Sequence, residues 1–359
     1  MREWGIGMAI NAWLPTLKQL SELPGPAGRE GPVRDWLRQR WKRHVEEWEE
    51  DSLGNILCKV GGQGPRVLIA AHMDEIGFIV RYITDSGFIL VESAQEPRDV
   101  PLDKLYMIGC RAQVIGRGGV VAEGIFAAPA GHVLSQSFVN RTLTYKDFFV
   151  DIGANSRKEA EEKGVHIGAR VVWYRPLLQM GTRVIGKAMD DRALLGVMDL
   201  LLKQLIQRKE SLAYEVWFGA TVQEENKAHG AYAIGRKREF DLAIPLDVGL
   251  VGDIPNISED DYPARLGGGP ILVHRDSVVH YDEGLLWKMA DVAEQHHIPY
   301  QHGLFSNYGS DGIAFVDSGI RSILVTIPTR YTHTPFEMIE LSDIGHTVEL
   351  LSCFLQQKR

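Results

Sequence analysis

The chain is poor in several features, and each shortage narrows what it can be. Its 359 residues hold only three cysteines, Cys58, Cys110 and Cys353, far apart and without paired spacing. A sparse, odd set in a chain this size reads as thiols in a reducing compartment, not as a disulfide frame. No apolar run approaches the ~18 residues that a membrane span needs. The opening Met1-Arg2-Glu3-Trp4-Gly5 lacks the charged-then-apolar order of a secretion signal. Basic blocks are missing as well, and the net charge of −8 argues against nucleic acid and anionic membrane as partners. A cytoplasmic protein is therefore expected. Repeats and low-complexity segments are absent, and no G-x-S-x-G elbow anchors serine hydrolase chemistry.

Two local patterns mislead. Gly181-Thr182-Arg183-Val184-Ile185-Gly186-Lys187 has phosphate-loop spacing, but Ala188 stands where a hydroxyl must reach magnesium. Glu224 and Glu225 fail as a glycosidase pair, because adjacent side chains rarely flank one bond at the ~5–9 Å that chemistry requires.

What is present is ordinary globular composition, 45% hydrophobic and 24% charged, in a chain long enough to favour two domains over one. Residues 11–50 carry helical spacing, first in Trp13, Leu17, Leu20 and Leu23, then in Val33, Trp36, Leu37, Trp41 and Val45. From about residue 77 the texture changes to short alternating runs. Phe78–Tyr82, Phe88–Val91, Ala112–Ile115, Val120–Ile125, Phe148–Ile152 and Arg170–Trp173 predict a small antiparallel barrel or sandwich. One helix interrupts it, announced by the capping box of Ser156 with Glu159 and stopped at Gly164. After it, helix alternates with strand to the C-terminus. The expected fold is α/β, a mixed sheet sandwiched by helices, formed by residues 1–76 and 174–359 and split by a β-rich insert at 77–173.

The chemistry gathers at strand ends. Val67-Leu68-Ile69-Ala70-Ala71 reads as a buried strand and runs into His72-Met73-Asp74-Glu75. Tyr214–Val222 runs into Gln223-Glu224-Glu225, Leu242–Leu246 into Asp247, and Ile323–Ile327 into Pro328 and then His333. Asp190-Asp191-Arg192 stands ahead of an apolar helical run. Each has a bland reading. A lone His at a strand end is more often structural than a ligand, an Asp pair caps helices, and adjacent glutamates are usually solvated. Asp247 is more telling, since a carboxylate behind so apolar a run needs a partner to offset its desolvation. Together, imidazoles and carboxylates from separate strands are what a metal site requires. The remaining histidines, including His132, His229, His302 and the His296-His297 pair, are read as surface or pocket residues.

The ordered motifs His72-Met73-Asp74-Glu75-Ile76-Gly77, Ala188-Met189-Asp190-Asp191-Arg192, Val222-Gln223-Glu224-Glu225, Asp247-Val248-Gly249 and Arg330–Glu337 resemble a known signature set. It is that of the dinuclear-metal aminopeptidases that form tetrahedral dodecamers, a family carrying names such as glutamyl aminopeptidase, deblocking aminopeptidase and endoglucanase. The likeness runs nearly end to end, through Leu23-Pro24-Gly25-Pro26-Ala27-Gly28-Arg29-Glu30, Asp51–Asn55, Asp151–Ser156 and Gly309-Ser310-Asp311.

Carried over by position, the resemblance implies two divalent metal ions, zinc or cobalt foremost and manganese as an alternative. Asp190 would bridge them, His72 and Asp247 would complete one, and Glu225 and His333 the other. Asp74 would orient His72, and Glu224 would serve as general base and then acid. A cis peptide is implied between Asp190 and Asp191. The implied activity is removal of N-terminal residues from short peptides, in a homo-oligomer built from dimers through the insert. Three departures bear on side-chain preference. Asn226-Lys227-Ala228-His229 replaces the usual Val-Gly-Leu-Arg, Tyr308-Gly309-Ser310-Asp311-Gly312 replaces Gly-Gly-Thr-Asp-Ala, and Pro129-Ala130-Gly131-His132 replaces Pro-Pro-His. The alternatives are a silent, metal-binding regulator and a two-metal hydrolase of acylated amino acids.

Overall fold

The structure, a computed structural model, describes residues 6–95, 107–133 and 147–357, with backbone alone for 6–12. The chain opens with α1 (Ile6–Glu22), α2 (Gly31–Trp41), β1 (Glu47–Glu50), β2 (Ile56–Gly61) and β3 (Arg66–His72). Next come β4 (Phe78–Ile83), β5 (Ile89–Ser93), β6 (Arg111–Gly116), β7 (Gly119–Ala127), β8 (Phe149–Asp151), α3 (Arg157–Glu162) and β9 (Arg170–Trp173). The third stretch holds β10 (Leu178–Met180), β11 (Arg183–Gly186), α4 (Met189–Leu205), β12 (Glu215–Thr221), α5 (His229–Lys237) and β13 (Leu242–Leu250). It continues through β14 (Ile271–Arg275), α6 (Glu283–His296), β15 (Gln301–Leu304), α7 (Gly312–Asp317), β16 (Arg321–Ser322), β17 (Leu324–Arg330), β18 (Glu337–Glu340) and α8 (Leu341–Gln356). These elements fall into two compact units. One comprises Met1–Asp74, Leu177–Thr332 and Phe336–Arg359; the other comprises Glu75–Pro176 with the three loop residues His333–Pro335.

The first unit is built on a twelve-stranded mixed sheet whose main path is β1-β2-β12-β3-β13-β17-β18-β11-β10. β12, β3, β13 and β17 lie parallel at its centre. The period-2 geometry of a strand explains why the β3 sequence is apolar throughout. Val67, Ile69 and Ala71 enter a core with Trp13 and Leu17 of α1, Leu194 and Met198 of α4 and Leu351 of α8. Leu68 and Ala70 face the opposite way, into a core with Ile234 of α5 and Phe315 of α7. The mixed sheet sandwiched by helices is thus as expected.

Two buried ionic groups tie this unit together. The Arg192 guanidinium, at the start of α4, donates to the carbonyls of Leu20 (2.9 Å), Leu23 (3.1 Å) and Gly25 (3.3 Å). It therefore caps the end of α1 and fixes the Pro24-Gly25-Pro26 break, where carbonyls would otherwise lack donors. Asp199, further along α4, accepts two bonds from Arg40 (2.9 and 2.6 Å) and one from the Trp41 indole (3.1 Å).

The helical expectation for 11–50 fails at its end. α2 stops at Trp41, and Glu47–Glu50 is an edge strand paired antiparallel on β2. Its acidic sequence has no alternation to read, because the strand is only partly covered. The Gly181–Lys187 stretch holds β11 rather than a phosphate loop, and Lys187 is buried with Nζ 3.3 Å from the Leu23 carbonyl.

The second unit is a closed barrel in the order β4-β5-β8-β7-β6-β9, and its six strands are the six alternating runs of the sequence. Alternate residues fill its interior, with Phe78 edge-on to Phe126 (5.0 Å) and Trp173 (5.5 Å) between ring centroids. Ser156 caps α3 by accepting the Glu159 N–H at 3.2 Å, and Glu159 reaches back to the Asn155 N–H at 2.9 Å. Among the described residues, no helix is long and apolar enough to cross a membrane.

Candidate metal centre

The site begins where β3 and β13 part. β13 pairs with β3 only as far as Pro245 opposite Ala70, and from Leu246 onward it continues along β17. Asp247 therefore lies inside a nine-residue strand, not behind one as the sequence suggested. At this level β13 is no longer paired with β3 among the described residues, and Asp247 is buried. His72 closes β3 level with Thr221 of β12. Asp190 and Asp191 stand at the head of α4 with non-helical backbone, joined by a cis peptide.

His72 is the hub. Its Nε2 lies 2.9 Å from Asp190 Oδ1, and its Nδ1 lies 3.4 Å from Asp74 Oδ1. Its backbone N–H donates to Asp191 Oδ2 at 3.0 Å, and Glu224 Oε2 comes within 4.0 Å of Nε2. The Asp190 N–H donates in turn to buried Glu337 at 3.1 Å. Asp247 Oδ1 accepts the N–H of the following Val248 at 2.7 Å.

The turn after β12 is held by carboxylates. Gln223 takes a left-handed φ of 54°, which points three successive N–H groups inward. The Gln223 N–H donates to Glu30 (3.2 Å), that of Glu224 to Asp74 Oδ1 (3.0 Å) and that of Glu225 to Asp74 Oδ2 (3.1 Å). Asp74 thus serves His72 and both glutamates at once. Gly230, at the start of α5, closes the turn from below: its N–H donates to the Val222 carbonyl at 2.9 Å. A Cβ there would sit 2.5 Å from both the N and O of Val222, so only glycine permits this approach.

Electrostatically the cluster is dominated by buried carboxyl groups around His72. Burial pushes the carboxyls of Asp191, Glu224 and Asp247 well above their ordinary values, and their carboxylate neighbours add to it. For His72, burial alone would depress the imidazole, but Asp190, Asp74 and Asp191 outweigh it and hold it well above its ordinary value. Asp191 Oδ1 is buried with no hydrogen-bond partner among the described residues. Buried carboxylates in such numbers are stable only when protonated or when a cation neutralises them.

The donor set fits cations. One ligand atom from each of His72, Asp190, Asp191 and Asp247 lies within 4.8 Å of the others, and the same holds for Asp190, Glu225 and His333. Asp190 belongs to both groups. His333 sits in the loop between β17 and β18 at a left-handed φ of 61°. The structure thus brings His72, Asp190, Glu225, Asp247 and His333 into two overlapping groups, with Asp74 and Glu224 alongside. His132, His229, His296, His297 and His302 are all exposed, and none belongs to either group.

Sequence reasoning gave no role to three residues at this site. Glu30 is buried and pushed up to about 7, by burial first and the charge of Asp74 second. It stands just ahead of α2, so in the sequence it reads as an acidic helix start. Asp311, buried beneath Thr221, is pushed up to about 6 by burial. Asp191 reads in the sequence as half of a helix-capping pair with Asp190. Each lies within a motif of the family resemblance, but taken alone none is separable in the sequence from ordinary helix capping.

Similarity to known proteins agrees with this geometry. The family model for M42 glutamyl aminopeptidase matches residues 54–350. A lysyl aminopeptidase of Pyrococcus furiosus is 27% identical over 353 residues, covering 95% of this chain and 96% of its own. The TET aminopeptidase of a marine-sediment Thaumarchaeota archaeon superposes with a TM-score of 0.91 at 29% identity, covering 97% of both chains. A Pyrococcus horikoshii TET1 peptidase, which can assemble into a tetrahedron or a large octahedral shell, gives 0.83 at 26% identity over 96% of this chain and 99% of its own. With the match spanning most of its length, the chain belongs to the M42 glutamyl aminopeptidase family.

Proposed function

We propose that this chain is an aminopeptidase that removes N-terminal residues from short peptides, using two divalent cations and Glu224 as its general base. The observation that carries the reading is the sharing of one carboxylate, Asp190, by two ligand groups. His72 and Asp247 would hold one cation, Glu225 and His333 the other, and Asp190 would bridge them. Imidazole with carboxylate suits zinc or cobalt best and accepts manganese. Asp74, 3.4 Å from His72 Nδ1, supplies the carboxylate that orients a ligating imidazole. Bound there, paired cations supply Lewis acidity for the scissile carbonyl and lower the pKa of the attacking water.

Glu224 does the proton work. Its carboxylate reaches the His72 side of the site while its backbone is fixed by Asp74. It takes the proton of the attacking water as the new C–O bond forms, then gives it to the leaving amine nitrogen as the C–N bond breaks.

Glu224→Gln tests the assignment. The variant should keep both cations and lose ~10²–10⁴-fold in kcat, the range for a general base; undiminished turnover would refute it. Comparing free and N-acetylated aminoacyl chromogenic substrates separates this reading from hydrolysis of acylated amino acids. We assign the protein to the cytoplasm and to a homo-oligomer built from dimers through residues 77–173, in a tetrahedral dodecamer. The TET1 assembly supports that architecture, and light scattering measures it.

A further inference from the structure

The loop after β15 places a tyrosine where the signature of the resembled family has glycine, and that tyrosine turns toward the centre. Tyr308 is pinned by its backbone: its N–H lies 2.7 Å from Ser277 Oγ, and its carbonyl accepts the Ser277 N–H at 3.1 Å. The ring packs on Phe305, 5.1 Å between centroids. Its hydroxyl donates to the Val248 carbonyl at 2.7 Å, one residue beyond Asp247. Backbone pins, ring packing and a buried hydroxyl leave the side chain little freedom, so the contact is built into the loop.

We propose that Tyr308 is a positioning residue for Asp247, its hydroxyl fixing the adjoining β13 backbone at Val248 so that the Asp247 carboxylate presents itself to the cation it would share with His72. The inference rests on the two-cation reading given above. Among the described residues, the Asp247 carboxylate accepts the Val248 N–H at 2.7 Å, so the residue that Tyr308 holds is the one that orients the carboxylate. Ligands to a metal depend on such outer partners for their orientation, and loss of one typically weakens binding ~10–100-fold.

The test uses the full chain stripped of metal and titrated with cobalt(II) chloride, followed by visible absorption and equilibrium dialysis. Wild type should take up two cations per chain. Tyr308→Phe, which removes only the hydroxyl, should weaken one of the two sites ~10–100-fold and leave the other unchanged. Phe305→Leu loosens the ring packing but keeps the hydroxyl; it should lower Tm and leave both affinities as in wild type. Two unchanged affinities in Tyr308→Phe would overturn the proposal, as would equal weakening in Phe305→Leu, which would make the tyrosine a packing residue. A wild type that binds fewer than two cations would overturn the two-cation reading itself, and this inference with it.

Discussion

Asp74 is the side chain whose removal should disturb most of the site at once, and Asn is the sharpest probe because it keeps the shape. Asp74 has two oxygens, one on the Glu224 N–H (3.0 Å) and one on the Glu225 N–H (3.1 Å). An asparagine can satisfy only one of them and turns an NH2 against the other donor. Losing a hydrogen bond to a charged group costs ~1.5–3 kcal/mol. Against this, the substitution removes one negative charge from a crowded set, and the raised carboxyls of Glu30 and Asp311 both feel that charge. That relief offsets part of the lost hydrogen bond. Metal-free Asp74→Asn should therefore lose ~1–2 kcal/mol of stability. The cation-loaded variant should lose more. A His72 imidazole deprived of its carboxylate partner weakens binding ~10–100-fold, which adds ~1.4–2.7 kcal/mol through linkage. Denaturant unfolding with and without cobalt(II), alongside metal titration, measures both terms. Equal losses in the two states, with unchanged cation affinity, would refute the role given to Asp74.

Asp199→Ala removes the carboxylate that Arg40, Trp41 and Lys203 share, and should cost about 3 kcal/mol. Its folded pKa is lowered despite burial, by Arg40 and Lys203. That stabilisation is present above the unfolded value of ~3.9 and is lost as pH falls through the depressed folded value. The gap between variant and wild type should therefore narrow in acid, and a gap constant from pH 7 to pH 3 would contradict it. Lys227 carries a left-handed φ of 76° in the segment that departs from the family pattern. Lys227→Gly should stabilise the fold by ~0.5–1 kcal/mol, because the αL penalty exceeds glycine's entropic cost. A lower midpoint in urea would show that the lysine side chain matters more than its backbone.

The sheet and barrel were legible in the sequence for a simple reason. Buried parallel strands such as β3 write themselves as unbroken apolar runs, and the barrel strands as alternation, since each has one face inside. β1 was not, because an acidic edge strand has no buried face to mark. The five residues that metal-site chemistry needs stand out in the sequence because each follows or precedes a strong element signal, while their separate ligand roles come from the family resemblance and are part of the proposal. Asp247 was placed one step wrong, since the strand's departure from β3 is a matter of pairing and leaves no trace in its own residues. Glu30 and Asp191 look like helix-start acids, and only their burial beside Asp74 and His72 sets them apart. Tyr308 was visible as a departure from the family pattern, but the direction of its hydroxyl is a fact of three-dimensional packing.

The account turns on Asp190 serving two cations. The most direct test is the metal content of Asp190→Asn against wild type after dialysis at one fixed concentration of free cobalt(II). The account predicts two ions per chain in wild type and at most one in the variant, with turnover lost in parallel. Two tightly held ions in the variant, or a single ion in fully active wild type, would contradict it.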